Sequence, residues 1–282
     1  MTNIYKISVV IPCFNHGEYL PEAVDSVINL KRDDIELIVI DDGSTDERTH
    51  REINLLIDRG IKVVRQENKG LASARNIGIN IAKGEFILSL DSDNRIRESY
   101  VVSGVKLLQN EPAIGIVYGN AEYFGEKTGL WQTREFDLIE LVRGNFIDAC
   151  ALYRKSVWDT IRGYDEKMPW MGWEDWDFWL RAAASGWGFS HLNEIAFDYR
   201  VRSGSMIEET NRHQDELLAY IFSKPHNQAV RLIREQSFDK EQLMKRIRQL
   251  ENSCDYCLGR LVLSPLRLLK RHLLKSVNSK VQ

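Results

Sequence analysis

Apolar positions in the first 120 residues come in short continuous runs separated by stretches with helical spacing. KISVVI (6–11), IELIVI (35–40), IKVVR (61–65) and EFILSL (85–90) are rich in Val, Ile and Leu and too short for helices. Because the runs are continuous rather than alternating, they suit strands covered on both faces. Residues 18–30, 47–58 and 71–82 between them carry helical patterns. Strands alternating with helices predict right-handed crossovers and an α/β fold with a mostly parallel central sheet. Ligands of such a sheet sit in the crevice at the carboxyl ends of its strands. The residues that directly follow each strand therefore carry the functional signal.

Past residue 120 the periodicity weakens. FIDACALYRK (146–155) reads as a strand, and a helix is expected from about Trp173 to Ala184, with Gly186 as its stop. Near the C-terminus, Leu243, Ile247, Leu250, Cys254, Cys257 and Leu261 are spaced by four and three in turn. That heptad seam, 243–261, would pack another helix or join two copies as a homodimer. It also puts Cys254 and Cys257 on an apolar stripe, where they act as small hydrophobic residues rather than as half of a zinc or redox site.

Charge changes the picture of the whole. The 282 residues carry a net −3, but residues 224–282 hold 13 Lys+Arg against 5 Asp+Glu, a net +8, leaving −11 for residues 1–223. The contrast predicts two parts, a main domain over 1–223 and a basic helical extension over 224–282. Leu alternates with Arg and Lys in residues 259–282, with Pro265 dividing the segment. It would either lie on an anionic membrane surface or pack against protein. No nucleic-acid-binding module accompanies the basic residues. Four scattered cysteines do not make a disulfide framework, no signal peptide is evident, and no apolar stretch is long enough to span a bilayer. A cytoplasmic protein is expected, with contact to the inner face of the membrane as an extension of that reading.

The strand ends carry the chemistry. After the first strand stands PCFNHGEYL, with a proline at the turn and a single glycine. A dinucleotide or phosphate loop needs several glycines there, so both are excluded. The second strand ends in DDGSTD, where Asp41 and Asp42 can accept hydrogen bonds from ribose hydroxyls or a base N–H. Thr45 and Asp46 read as caps of the next helix. The fourth strand runs into Asp91-Ser92-Asp93. Residues two apart in extended chain point the same way, and two such carboxylates repel unless a cation lies between them. Mg²⁺ typically takes one or two carboxylates plus phosphate oxygens and water, which suits a nucleotide-sugar diphosphate. Glu174 and Asp175 either favour the dipole of a helix's first turn or supply a catalytic base. Trp170, Trp173, Trp176 and Trp179 recur every third residue, as core or as a wall for a sugar ring.

Taken in order, VVIPCFN, IVIDDGSTD, ENKGLASARNIGI, LDSDN and GWEDWDFWLR over residues 5–205 resemble a family 2 glycosyltransferase of the GT-A fold. The resemblance implies an inverting transferase that uses a nucleotide-sugar, most plausibly a UDP-sugar, with Mn²⁺ or Mg²⁺, and a glycan or lipid-linked glycan as acceptor. It implies that Pro12, Phe14, Asn15, Asp41 and Asp42 line the nucleoside pocket. Asn68, Arg75 and Asn76 would help hold the donor. Asp91, Ser92 and Asp93 would be the DxD motif, with Asp93 the more direct metal ligand. Asp175 would be the catalytic base beside Glu174, and Trp170, Trp173 and Trp176 would meet the acceptor. Asn94 stands where a third acid is common, and Arg200 and Arg202 where a His is often found. A silent nucleotide-sugar-binding or scaffold protein of the same fold is the alternative. A nucleotidyltransferase would want a basic, glycine-rich loop after the first strand, which is missing.

Overall fold

The computed structural model describes residues 6–204 and 206–251. Its first half alternates as read: β1 (Ile7–Cys13), α1 (Leu20–Ile28), β2 (Ile35–Asp41), α2 (Glu47–Asp58), β3 (Lys62–Arg65), α3 (Leu71–Ile81) and β4 (Phe86–Ser89). There follow β5 (Arg95–Ile96), α4 (Glu98–Asn110), β6 (Ile114–Gly125), β7 (Gly129–Trp131), α5 (Leu138–Arg143), β8 (Leu152–Arg154) and α6 (Lys155–Ile161). The rest comprises α7 (Glu174–Ala184), β9 (Gly188–Val201), α8 (Met206–Arg212), α9 (Gln214–Ser223) and α10 (Gln228–Glu251).

All these strands form one sheet in the order β3-β2-β1-β4-β8-β6-β9-β5, with β7 hydrogen-bonded to β6. The first four strands are mutually parallel. Short β8 runs antiparallel between β4 and β6, and β6 pairs in parallel with the long β9. The fold is α/β, of the GT-A kind, with helices following in the C-terminal region.

The continuous apolar strands are covered on both faces. Val10, Ile38 and Ile40 point into one cluster with Ala74, Ile79, Phe178 and Trp179. Their chain neighbours Val9, Ile11 and Val39 point into the other with Leu20, Val24, Ile53 and Tyr100. Each buried Val or Ile contributes about 1.5–3 kcal/mol, so both layers hold the sheet in place. Gly78 sets the approach of α3 to the sheet, since a Cβ there would lie 2.3 Å from the Val10 side chain.

One expectation changes. Only residues 152–154 of the 146–155 segment are strand, because Asn145 and Asp148 cap the backbone N–H groups of Ile147 and Cys150 and bend the chain. By its contacts the chain groups into one unit to Arg231 and a second from Leu232. Within the first unit, Lys224 pairs with Asp165 at 2.5 Å and Asp177 at 2.6 Å. Of the heptad seam, Leu243 is exposed on α10, while Cys254, Cys257 and Leu261 lie outside the described residues, as does the 259–282 segment.

Candidate active site

The carboxyl ends of β1, β2 and β4 lie side by side, so the segments singled out in the sequence meet at one edge. On the β1–β2 side, Phe14 projects with 43 % of its surface exposed. Pro12 is buried within β1 opposite Ile40. Asn15 sits at φ 54°, a left-handed conformation that Asn tolerates. Its Oδ1 accepts from the N–H groups of Thr45 (2.8 Å) and Asp46 (3.2 Å), which ties the β1–α1 loop to the β2–α2 turn.

Both oxygens of Asp42 are engaged. Oδ1 accepts from Gln66 Nε2 (2.6 Å) and Lys69 N (2.8 Å), and Oδ2 from Gly70 N (2.9 Å). Asp42 therefore anchors the loop before α3 and has little left to offer a ligand. Asp41 accepts from Ser44 N at 3.0 Å through one oxygen, and its other oxygen lies 3.6 Å from Arg65 Nε. Gly43, at φ +71°, lets the turn lie against the exposed Asn68, whose backbone N would be 2.6 Å from a Cβ at residue 43.

The acids after β4 are held by arginines. Arg75, 1 % exposed, donates to Asp91 Oδ1 at 2.7 Å and to Glu174 Oε1 at 2.5 Å, so one guanidinium bridges the β4 end and α7. Asp93 Oδ2 lies 3.3 Å from Arg202 Nε, and Arg200 Nε donates to the Asp93 carbonyl at 3.1 Å. Burial first, and then neighbouring Asp91, push the Asp93 carboxyl above its ordinary value, against the pull of His16 and Arg202. Asn94, where a third acid was looked for, accepts from Arg200 N at 2.9 Å and fastens β9 to this loop.

His16 escaped the sequence reading. Arg202 Nη2 lies 2.7 Å from His16 Nε2, and His16 Nδ1 lies 2.9 Å from Ser92 Oγ. An arginine can only donate, so Nε2 accepts and the proton sits on Nδ1, toward Ser92. Burial holds this imidazole below its ordinary pKa, in keeping with the neutral form. A lone His after a strand gives no signal by itself; its partners come from positions 92 and 202.

At the N-terminus of α7 the two adjacent acids part company. Glu174 is spent: Oε1 on Arg75 and Oε2 on Gly172 N at 2.6 Å. It holds Arg75 in place, with both of its oxygens engaged. Asp175 accepts from Asn145 Nδ2 (3.0 Å) and from Trp176 N (2.6 Å), neither of them charged. Burial first, and then Glu174 and Asp148, drive its carboxyl well above the ordinary range. Asp148, a second acid the sequence reading passed over, stands close enough to Asp91, Asp93 and Asp175 to be coupled to them. Burial, followed by Asp91, raises it to about 7.

Other expected positions turn elsewhere. Asn76 uses its whole amide on the 158–166 segment: Nδ2 donates to Tyr164 O and Glu166, and Oδ1 accepts from Trp158 Nε1 and Tyr164 N. It holds that loop, not a donor. Trp176 is 2 % exposed and donates to Leu141 O, so it is core. Trp173 packs edge-on against Trp176, and Trp170 stacks on His213 at 3.6 Å and donates to Glu216. The threefold spacing thus turns the tryptophans to different surroundings, with Trp176 unable to line an open site.

Residues 8–168, more than half of the chain, match Glycosyl transferase family 2. Glycosyltransferase GlyG of Streptococcus pneumoniae is 38 % identical over 125 residues, 44 % of this chain and 41 % of that protein. Chondroitin synthase of Pasteurella multocida is 28 % identical over 204 residues, 70 % of this chain and 21 % of its own length. The chain thus spans less than half the length of these relatives. Among solved structures, S. aureus TarS residues 1–349 in complex with UDP superposes with a TM-score of 0.59 at 22 % identity, over 79 % of this chain and 73 % of that fragment. The mannosyltransferase PcManGT of Pyrobaculum calidifontis, in complex with GDP-Man and Mn²⁺, gives 0.59 at 16 % identity over 98 % of this chain and 84 % of its own. Those two likenesses are of fold. With the ordered motifs gathered at one sheet edge and the match over residues 8–168, the chain belongs to glycosyl transferase family 2.

Proposed function

We propose that this chain is an inverting sugar transferase that moves a sugar from a UDP-sugar to a hydroxyl of a glycan or lipid-linked glycan. One observation carries the reading: Asp175 is a buried carboxylate with uncharged hydrogen-bond partners and a raised pKa, beside the acids that end β4. A base tuned upward takes a proton more effectively near neutral pH. Asp175 accepts the acceptor's hydroxyl proton as its oxygen bonds to the anomeric carbon, and the bond to the diphosphate breaks on the opposite face. The nucleoside diphosphate departs with the bonding electrons, toward Arg202 and Arg200. Phe14 offers a face for the base and Asp41 a carboxyl oxygen for the nucleoside. TarS was solved with UDP and PcManGT with GDP-Man and Mn²⁺, which supports a nucleotide-sugar donor here.

The residues present fit a divalent ion. Asp91 and Asp93 each keep one carboxyl oxygen without a hydrogen bond among the described residues, and burial, then Asp91, raises the Asp93 carboxyl. Among the described residues no three His, Cys, Asp or Glu groups are arranged around an ion. The remaining ligands would be diphosphate and water oxygens, the usual company of Mg²⁺. Once bound, Mn²⁺ or Mg²⁺ would act as a Lewis acid and offset the leaving group's charge. We include in the same proposal a homodimer through the 243–261 seam, contact of residues 259–282 with the membrane, and a cytoplasmic place of work. Among the described residues no helix is long and apolar enough to cross a membrane.

The test is a panel of UDP- and GDP-sugars with Mn²⁺, Mg²⁺ or EDTA, read as nucleoside diphosphate release alongside calorimetric binding. Metal-dependent release of UDP from a UDP-sugar is expected. Binding without release under every condition would favour the silent binder.

A further inference from the structure

β6, β7 and β9 build a second aromatic surface beside the acids. Tyr123 stands opposite Tyr199 in the β6–β9 register, and Trp131 opposite Ala121 in the β6–β7 register. Cross-strand partners and residues two apart share a face, so Tyr123, Trp131 and Tyr199 project from the same side of the sheet. Trp131 meets Tyr199 edge-on at 5.6 Å and 90°, and lies nearly parallel to Tyr123, with ring centres 6.0 Å apart and a 4° tilt. Lys127 covers Tyr123 at 4.0 Å. All three rings are half-buried. Neither phenol hydroxyl nor the Trp131 indole N–H has a hydrogen-bond partner among the described residues.

This surface borders the loop of the reacting acids, because Tyr199 adjoins Arg200, whose N–H donates to Asn94 Oδ1 at 2.9 Å and whose Nε donates to the Asp93 carbonyl at 3.1 Å. Burial and then the carboxylates of Asp148, Asp91, Asp93 and Asp175 raise the Tyr199 phenol, and burial and then Asp148 raise that of Tyr123. Asp148 is near enough to Tyr199, Tyr123 and Asp175 to act on all three. One of its oxygens accepts from Cys150 N at 2.8 Å, and the other has no hydrogen bond among the described residues.

We infer that Trp131 and Tyr199, flanked by Tyr123 and with Asp148 at the inner end, form the acceptor subsite and take a pyranose ring. The apolar C–H face of a pyranose stacks on an aromatic ring, while its hydroxyls need partners at the edge. The free phenols, the indole N–H and the Asp148 carboxyl supply them. The ring's reacting hydroxyl then points toward Asp175. This inference rests on the transferase reading and replaces the tryptophans of the 170–176 segment as the acceptor wall.

The test titrates p-nitrophenyl β-glucoside, β-galactoside and β-N-acetylglucosaminide into protein held with UDP and Mn²⁺, followed by saturation-transfer NMR. Wild type, Trp131→Leu and Asp148→Asn are compared, with UDP affinity measured in parallel. Leu keeps apolar cover over the core and removes the flat ring, and thermal melts check the fold. At least one glycoside is expected to bind wild type and to bind Trp131→Leu about tenfold more weakly, a loss of roughly 1.4 kcal/mol, at unchanged UDP affinity. Equal glycoside affinity in Trp131→Leu overturns the subsite. So does a wild type that binds UDP and no glycoside, or a Trp131→Leu whose UDP affinity falls with its glycoside affinity. A wild type that fails to bind UDP counts against the transferase reading, and a glycoside lost only in Trp131→Leu would still uphold the aromatic subsite.

Discussion

Glu174 and Asp175 are neighbours of similar chemistry with opposite fates. A guanidinium and a backbone N–H occupy Glu174, whereas neutral donors leave Asp175 a buried acid of raised pKa. Asp175→Asn should lower kcat by about 10²–10⁴-fold, the usual worth of a general base, with UDP affinity unchanged by calorimetry. Because Asp175 must be unprotonated to act, the acid limb of the wild-type rate profile should lie above the ordinary carboxylate range; a limb near pH 4 would remove the base assignment. Asp148 gives a stability counterpart. Its folded pKa of about 7 lies above its unfolded value, so the folded state holds the extra proton. Its contribution is fully present below the unfolded pKa and is lost as pH rises through about 7. In EDTA, Asp148→Asn should raise Tm at pH 8 by about 2–4 °C, the equivalent of roughly 1 kcal/mol, and change it little at pH 4. An equal shift at both pH values would contradict this.

Elements meet through single side chains. Arg75 comes from the second turn of α3 and reaches both the end of β4 and the start of α7. Removing one member of such a buried network leaves uncompensated charge, at a cost of about 3–5 kcal/mol. Urea denaturation of Arg75→Gln should show that loss, and the Arg75→Gln/Glu174→Gln pair should recover part of it. Strict additivity of the two single variants would mean that the residues do not act as a pair. The alternating elements up to β4 were legible because each strand's apolar run and each helix's spacing are local. The extent of β8 was not: of the 146–155 run only Leu152–Arg154 is strand, where β4 and β6 flank it. The same holds for Asn76, whose place in a donor-like motif said nothing of the 158–166 loop that consumes its amide.

At the scale of the molecule, two apolar layers clamp one sheet, and strand order gathers distant segments at one edge. α10 carries exposed apolar residues, Leu232, Phe238, Leu243 and Met244. The proposed seam expects a dimer mass in light scattering and a monomer for Leu243→Glu. A wild type already monomeric at high protein concentration would end the dimer proposal.

Composition, periodicity and the order of five motifs were enough to assign the α/β class, the family and the strand-end acids, because those signals sit within a few residues of one another. Which acid is spent on an arginine, which tryptophan is core, and that His16 meets Arg202 and Ser92 while Asp148 lies near Asp175 came from packing. Hydrogen bonds and burial couple residues that are about a hundred or more positions apart, as with Arg75 and Glu174 or His16 and Arg202, and no local pattern in the chain encodes such distances.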